Sequence, residues 1–334
     1  MSLRSFLLRR LAYTVALIFA VIILNWFIFE ALPGQSGAQA LLTANPRLAG
    51  NQAAIDNLCK LWNCHASPTD QFITYVRAML TFNFGISFQN GQSITTLIIQ
   101  QKRLQNTLLL LGTSTILAII IGVALGIVAS HKRDSFLDRT AISASLTTFA
   151  LPTFWMGEVL ILVFAIGLGW FPSGGTQPVE FSIPGHIPNL ASQILIRLQY
   201  LFLPALTLTL FTYGGFVLLT RATMVEALNE DYIVTAKAKG LSQRVILFRH
   251  AFKNASLPVI TSTALAFGGI LAGVIITETV FAYEGLGFML LQAVQAHDFP
   301  VMQAMFYLIS LTVIAANFIA DVAYGIVDPR IRYE

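Results

Sequence analysis

Six stretches of the chain carry no Asp, Glu, Lys or Arg: Leu11 to Phe29, Leu104 to Ser130, Thr140 to Gly157, Leu198 to Thr220, Asn254 to Thr277 and Phe299 to Ala320. A bilayer's hydrocarbon layer is roughly 30 Å thick and a helix rises about 1.5 Å per residue, so about 20 apolar residues cross it with their backbone polar groups satisfied internally. The pattern therefore predicts an all-α, polytopic membrane protein with six transmembrane helices. The third stretch continues past Glu158 to Val179, which leaves its outer end undefined. The first follows Arg4, Arg9 and Arg10 and precedes Ala38-Gln39-Ala40, as in a cleaved secretory leader. Its 19 apolar and uncharged residues exceed the roughly 7 to 15 of a leader core, so it reads as a retained first span.

Six spans place both termini on one side, and the distribution of basic residues selects that side. With cytoplasmic termini the inner segments hold Arg4, Arg9, Arg10, Lys132, Arg133, Arg139, Arg221, Lys237, Lys239, Arg244, Arg249, Lys253, Arg330 and Arg332, which is 14 of the 20 basic residues. Of the others, Arg47, Lys60, Arg77, Lys102 and Arg103 share one long loop, whose translocation depends little on charge, and Arg197 lies in another. Composition agrees: 56% of the chain is hydrophobic and 11% charged, less than half the roughly 25% charge of a soluble domain. The net charge of +4 follows from topology and gives no reason to expect nucleic acid.

The expected organisation is an N-terminal end and first span (1–31), an extracytoplasmic cap loop (32–103), a core of five spans (104–323) with a cytoplasmic loop at 221–254, and a cytoplasmic tail (324–334). Cys59 and Cys64 fall in the cap, where a four-residue gap allows a small disulfide-closed loop; free thiols are the alternative, and two thiols with His65 are too few for a structural zinc site. The outer segment Trp170 to Arg197 contains Pro172, Pro178, Pro184 and Pro188 and should be irregular. A third outer segment, Glu278 to Asp298, contains a turn at Tyr283-Glu284-Gly285-Leu286-Gly287. Inside, Asp231 to Gly240 reads as a helix stopped by glycine, and Val245, Phe248, Phe252 and Ala255 recur at helical spacing as the buried stripe of a second. Such a pair of helices either docks on a partner or rests on lipid headgroups through Lys237, Lys239, Arg244, Arg249 and Lys253.

Catalytic chemistry finds little support. No Gly-Lys pair exists to build a phosphate-binding loop, and His65, His131, His186, His250 and His297 lack metal-ligand spacing, so no cofactor or metal is expected on this chain. Ionisable groups in spans are costly and mark pathways or partners. Glu158 interrupts the third stretch and is the candidate to line a polar path, whereas Glu278 and Asp321 sit at span ends, where interfacial solvation suffices. Gly122-x-x-x-Gly126 and Gly269-x-x-x-Gly273 are spacings for close helix packing.

Several motifs in order resemble one family, the B-type transmembrane subunit of dipeptide, oligopeptide and nickel-type ABC importers. They are Leu8-Arg9-Arg10-Leu11, Leu32-Pro33-Gly34, Arg103-Leu104-Gln105-Asn106-Thr107-Leu108, Leu151-Pro152-Thr153-Phe154-Trp155, Gly169-Trp170-Phe171-Pro172-Ser173-Gly174-Gly175 and Glu278-Thr279-Val280-Phe281, followed near the end by Asn317, Asp321, Tyr324 and Asp328-Pro329-Arg330-Ile331-Arg332. The stretch Glu230-Asp231-Tyr232-Ile233-Val234-Thr235-Ala236-Lys237-Ala238-Lys239-Gly240 resembles the loop such permeases insert into their ATPases, with Val234-Thr235-Ala236 where importers in general have Glu-Ala-Ala. Glu284 stands in place of the usual Pro, His297 of the usual Arg, and Asn83-Phe84-Gly85 of a Gly-Asp-Leu-Gly run.

The resemblance implies a type I importer permease fold and a heterodimer with a second, homologous permease in the lipid bilayer of the cell membrane. It implies two ATP-binding subunits that hold ATP and Mg, and an external binding protein that delivers solute, either short peptides or oligosaccharides. It also implies an ATPase-coupling loop of Glu226, Glu230, Asp231, Tyr232, Thr235, Ala236, Lys239 and Gly240, with Glu158, Glu278, Asn317 and Asp321 as candidate pathway residues. The rival readings are an ion-gradient-driven secondary carrier using Glu158 and Asp321, and an assembly subunit without a pathway.

Overall fold

The computed structural model describes residues 3–31, 66–89, 91–178, 181, 189–269 and 271–327. The regular elements among them are helices, with one isolated antiparallel bridge between Ile86 and Ser93. They are α1 (Leu3–Trp26), prolonged by a π-helical turn at Phe27–Ala31; α2 (Pro68–Leu80); α3 (Ile94–Gln100); α4 (Arg103–His131); α5 (Phe136–Ala150); and α6 (Thr153–Leu160), prolonged by a π-helical stretch at Ile161–Gly167. Then come α7 (Leu190–Leu228), α8 (Asp231–Ala238), α9 (Gln243–Val245), which runs through π-helical Ile246–Ala251 into α10 (Phe252–Gly269), and finally α11 (Leu271–Val280), α12 (Leu286–Gln295) and α13 (Phe299–Val327). Cys59, Cys64, His65, the Leu32-Pro33-Gly34 motif and the Asp328 to Arg332 motif lie outside the described residues.

Four segments are long and apolar enough to cross a membrane: Ser5–Glu30, Arg103–His131, Leu190–Leu228 and Phe299–Val322. A fifth is the run from α5 through α6 to Gly167, which passes jointly but is bent by 104°. The described helices thus supply four or five spans where the charge-free runs predict six. The bend corrects the expectation of one helix over Thr140 to Gly157. Pro152 lacks the N–H that would continue α5, and its ring drives the preceding residue out of the helical region. Leu151 accordingly sits at φ −83°, ψ 135°, and Pro152 opens α6 instead, its carbonyl accepting the Met156 N–H at 3.1 Å. The fifth run, Asn254 to Thr277, is shared between α10 and α11 on either side of residue 270. The outer loop expected to reach Arg197 ends at Asn189, whose side chain accepts the Ser192 N–H at 2.9 Å and starts α7 early.

The chain forms two compact units, one of Met1–Leu7, Leu108–Tyr283 and Ala316–Glu334, the other of Leu8–Thr107 and Glu284–Ala315. In the first, α7 is flanked closely by α4 and α5. A Cβ on Gly122 would lie 2.5 Å from the Phe216 Cβ, and one on Gly126 would lie 2.6 Å from the Thr220 Cβ. Without a hydrophobic force between helices in lipid, such backbone approach supplies the dispersion contacts that hold spans together. Gly214 meets the Ser145 carbonyl in the same way, a hypothetical Cβ lying 2.7 Å from that oxygen. Hydroxyls are accommodated locally: Thr115, Thr207, Thr209 and Thr212 each donate to the carbonyl four residues earlier.

The second unit packs α1, α2, α3, α12 and the first part of α13 around Ile22, Met79, Ile94, Leu286 and Met305. Ser67 caps α2 by accepting the Asp70 N–H at 3.2 Å, and Pro68 occupies the first turn, where its missing donor costs nothing. The motif at Asn106-Thr107 acquires a structural role here. Asn106 donates its amide to the Glu284 carbonyl at 2.8 Å, and the Thr107 hydroxyl accepts the Leu286 N–H at 2.8 Å, one of the orphan donors that open α12. Asp298, 3% exposed, accepts the N–H groups of Phe88 at 3.1 Å and Gln89 at 3.3 Å and the Ser87 hydroxyl, and so fixes the turn before Gly91.

Candidate functional site

The segment singled out at Asp231 to Gly240 is a short helix with a defined stop. After α7 ends, the Asn229 N–H reaches back to the Glu226 carbonyl at 3.1 Å and the chain turns into α8, with Asp231 in its first turn and Lys237 in its last, as the helix dipole favours. At the far end Gly240 takes φ +72°. Its N–H bonds to the Lys237 carbonyl at 2.9 Å, and the Leu241 N–H bonds to the Ala236 carbonyl at 3.4 Å, the paired closure of a glycine-terminated helix. An L side chain at that φ costs about 1–2 kcal/mol. Nothing in the chain lies within 4 Å of a Cβ built there, so the penalty is backbone strain and not crowding.

The two faces of α8 differ. Ile233 (0% exposed) and Ala236 (4%) enter a cluster with Ile127 of α4, Met224 and Ala227 of α7, and Ala255 of α10, and half-buried Tyr232 packs beside it. Burying Ile233 alone contributes about 1.5–3 kcal/mol, so α8 is packed firmly against the ends of three long helices. The opposite face, with Glu230, Asp231, Val234, Thr235, Lys237, Lys239 and Gly240, is exposed, as is Glu226. Ala236 thus faces the chain's own core. Val234, 63% exposed, was not among the expected site residues. The spacing of Ile233 and Ala236 already turns it outward, since residues three apart share a face and the intervening one does not.

The next helix departs from the expected stripe of Val245, Phe248, Phe252 and Ala255. Phe248 is 58% exposed, and the buried positions are Ile246, Leu247, Ala251 and Ala255. The π-helical Ile246–Ala251 widens the turn, so the buried spacing becomes five residues before returning to four in α10.

Close to α8 lies an ion pair that linear reading missed. Asp138, 1% exposed in the first turn of α5, receives the Arg221 guanidinium in fork geometry, Nη2 to Oδ2 at 2.7 Å and Nε to Oδ1 at 2.5 Å, and accepts the Asp134 backbone N–H at 2.9 Å. The carboxylate is buried while the guanidinium keeps 22% of its side chain exposed, so losing one partner costs less than the roughly 3–5 kcal/mol of a fully buried pair. The partners are 83 positions apart and each sits among ordinary interfacial charges, so no local signal marks them.

The pathway candidates do not share one environment. Glu158 is exposed on α6 beside Phe154 and Trp155, and Asn317 is exposed on α13, where Asp321 is half-buried. Glu278 is fully buried, which corrects the expectation of interfacial solvation. Its helix packs inward, with the Val280 Cγ1 3.0 Å from where a Cβ on Gly157 would stand. In the turn that follows, the Tyr283 N–H bonds to the Glu278 carbonyl at 2.8 Å. Burial first and the Glu278 carboxylate second push the Tyr283 phenol above its ordinary value, with Arg197 opposing. Among the described residues no cluster of three or more His, Cys, Asp or Glu could hold a metal ion.

Residues 118–333 match the sequence model of the family described as binding-protein-dependent transport system inner membrane component. The chain is 33% identical over 330 residues to the oligopeptide transport system permease protein AppB of Bacillus subtilis, with 98% of this chain and 99% of the relative covered. It is 32% identical over 339 residues to the di/tripeptide transport system permease protein DppB of Pseudomonas aeruginosa and 31% identical over 346 residues to the dipeptide transport system permease protein DppB of Escherichia coli, each with 99% of both chains covered.

Proposed function

Because the chain belongs to the family of binding-protein-dependent transport system inner membrane components, we propose that this multi-pass permease subunit forms half of a path through the cell membrane for short peptides. Its partners in this reading are a second, homologous permease, two ATP-binding subunits on the cytosolic side and an external binding protein that presents the solute. ATP and Mg belong to the ATP-binding subunits, and this chain supplies the path and the lever. Peptides are favoured over oligosaccharides because the full-length relatives are permeases of oligopeptide, di/tripeptide and dipeptide transport systems.

The observation that carries the mechanism is the two-faced α8. Its inner face is fused into the core at the ends of α4, α7 and α10, while its outer face is uncovered. Closure of the ATP-binding subunits pushes on that outer face, and the spans anchored to the inner face rock with it between inward-open and outward-open arrangements, a rigid-body switch at a two-state interface. A headgroup-resting helix would place its cations around an apolar face inserted in lipid. Here the apolar face is spent on the protein's own core.

Uptake of a labelled tripeptide into proteoliposomes carrying the whole complex should require ATP and the binding protein and survive dissipation of ion gradients by ionophores. Uptake that persists without ATP and collapses with the gradient would instead establish the secondary carrier.

Glu158, exposed on an otherwise apolar helix, is best accounted for as a path-lining carboxylate that meets the ammonium end of the peptide. A charge-assisted hydrogen bond is worth about 1.5–3 kcal/mol, so Glu158→Gln should raise the solute concentration for half-maximal transport about tenfold or more. Unchanged kinetics across free and N-acetylated peptides would assign Glu158 to packing between the permeases.

A further inference from the structure

We propose that the Asp138–Arg221 pair is the strap that makes the bent helices α5 and α6 follow α7 when α8 is pushed. The inference rests on the coupling role of α8 and adds the route by which displacement reaches Glu158. Three connections define that route. Ile233 and Ala236 of α8 share a cluster with Met224 and Ala227 of α7. One turn before Met224, Arg221 grips Asp138 of α5 through two parallel hydrogen bonds. From α5 the chain passes the Leu151–Pro152 bend into α6, which carries Glu158.

The other contacts between α5 and α7, Gly214 against the Ser145 carbonyl and the stacked rings of Phe149 and Phe211, are packing contacts without a directional bond. A fork-to-fork pair does not slide, because translation of either helix breaks both hydrogen bonds together. Apolar residues of the same volume would hold the helices equally firmly, so stability alone does not call for a buried pair here; fixing the axial register of α5 on α7 does. Asp138 and Arg221 are therefore positioning residues, acting through α5 on the path.

The test uses the intact complex in lipid nanodiscs and proteoliposomes, with Asp138→Asn, Arg221→Lys and the double exchange D138R/R221D. Asp138→Asn keeps the shape of the site, and Arg221→Lys keeps the charge but loses the fork. Both should assemble, hydrolyse ATP without solute at the normal rate, and transport about tenfold less solute per ATP consumed; the double exchange should recover part of that ratio. Spin labels at exposed Ala238 of α8 and Phe154 of α6 give a second readout. In the parent complex their separation stays constant on ATP binding, because α8 and α6 move as one body, and in Asp138→Asn it should change as α6 lags. Assembled Asp138→Asn complex with an unaltered transport-to-ATP ratio, or with a constant label separation, overturns the strap. Val234→Asp in the same preparation separates the two readings: if it uncouples while Asp138→Asn does not, only the strap falls, and if it leaves solute-stimulated hydrolysis intact, the coupling role of α8 falls with it.

Discussion

Val234→Asp should abolish solute-stimulated ATP hydrolysis in the reconstituted complex while leaving membrane insertion and thermal stability of the permease unchanged. The side chain is 63% exposed and touches none of the core that anchors α8, so the substitution costs the isolated chain little. In the proposed docking the same position meets the groove of an ATP-binding subunit. A carboxylate buried there without a partner costs about 3 kcal/mol, on the order of a hundredfold in the docked population. Gly240 gives an independent check. A Cβ at that position meets nothing within 4 Å beyond its chain neighbours, so Gly240→Ala imposes left-handed strain of about 1–2 kcal/mol on the permease without crowding, and Gly240→Phe adds bulk to that strain. With equal melting of the two permeases, a difference in stimulated hydrolysis measures bulk meeting the partner. Equal hydrolysis by Ala and Phe variants, together with full stimulation of Val234→Asp, would show that α8 touches no motor.

Gly126→Leu should prevent the folded permease from accumulating. The first added carbon would stand 2.6 Å from the Thr220 Cβ and 2.9 Å from the Val217 carbonyl oxygen, so backbone has to give way to backbone and α4 must part from α7. Even Gly126→Ala should lose about 1–3 kcal/mol by overpacking. The control lies on the same helix: Gly112 has nothing within 4 Å, so Gly112→Ala should be neutral or stabilise by roughly 0.5–1 kcal/mol through reduced backbone freedom. Melting of the purified permease in detergent distinguishes the two. Equal melting of the two alanine variants would show that close approach of α4 and α7 contributes nothing to the fold.

Much of this molecule is written in one dimension. Charge-free runs mark spans because burying a charge in hydrocarbon is costly wherever the helix later packs, and Arg103–His131 and Phe299–Val322 lie close to the runs that announce them. The stop of α8 at Gly240 is equally local, since only glycine takes φ +72° without strain. The bend at Leu151–Pro152 was also legible in principle, because the proline rule is local, but an uninterrupted apolar run hid it. Three features were not. The burial of Glu278 depends on which side of α11 meets α6, and a span-end position by itself permits either water or core. The exposure of Phe248 depends on a π-helical turn that changes the residue count per turn by about one, enough to rotate a buried stripe off its expected positions. The Asp138–Arg221 pair needs two helices 83 positions apart to be brought side by side by Gly214 and Ser145. Composition and local backbone preference act residue by residue and so survive being read in order, which is why the sequence by itself determined that the chain lives in a membrane and where its exposed elbow stops. Which face of each helix is covered, and which distant charges meet, are set by the fit of one surface against another, and that only the tertiary structure decided.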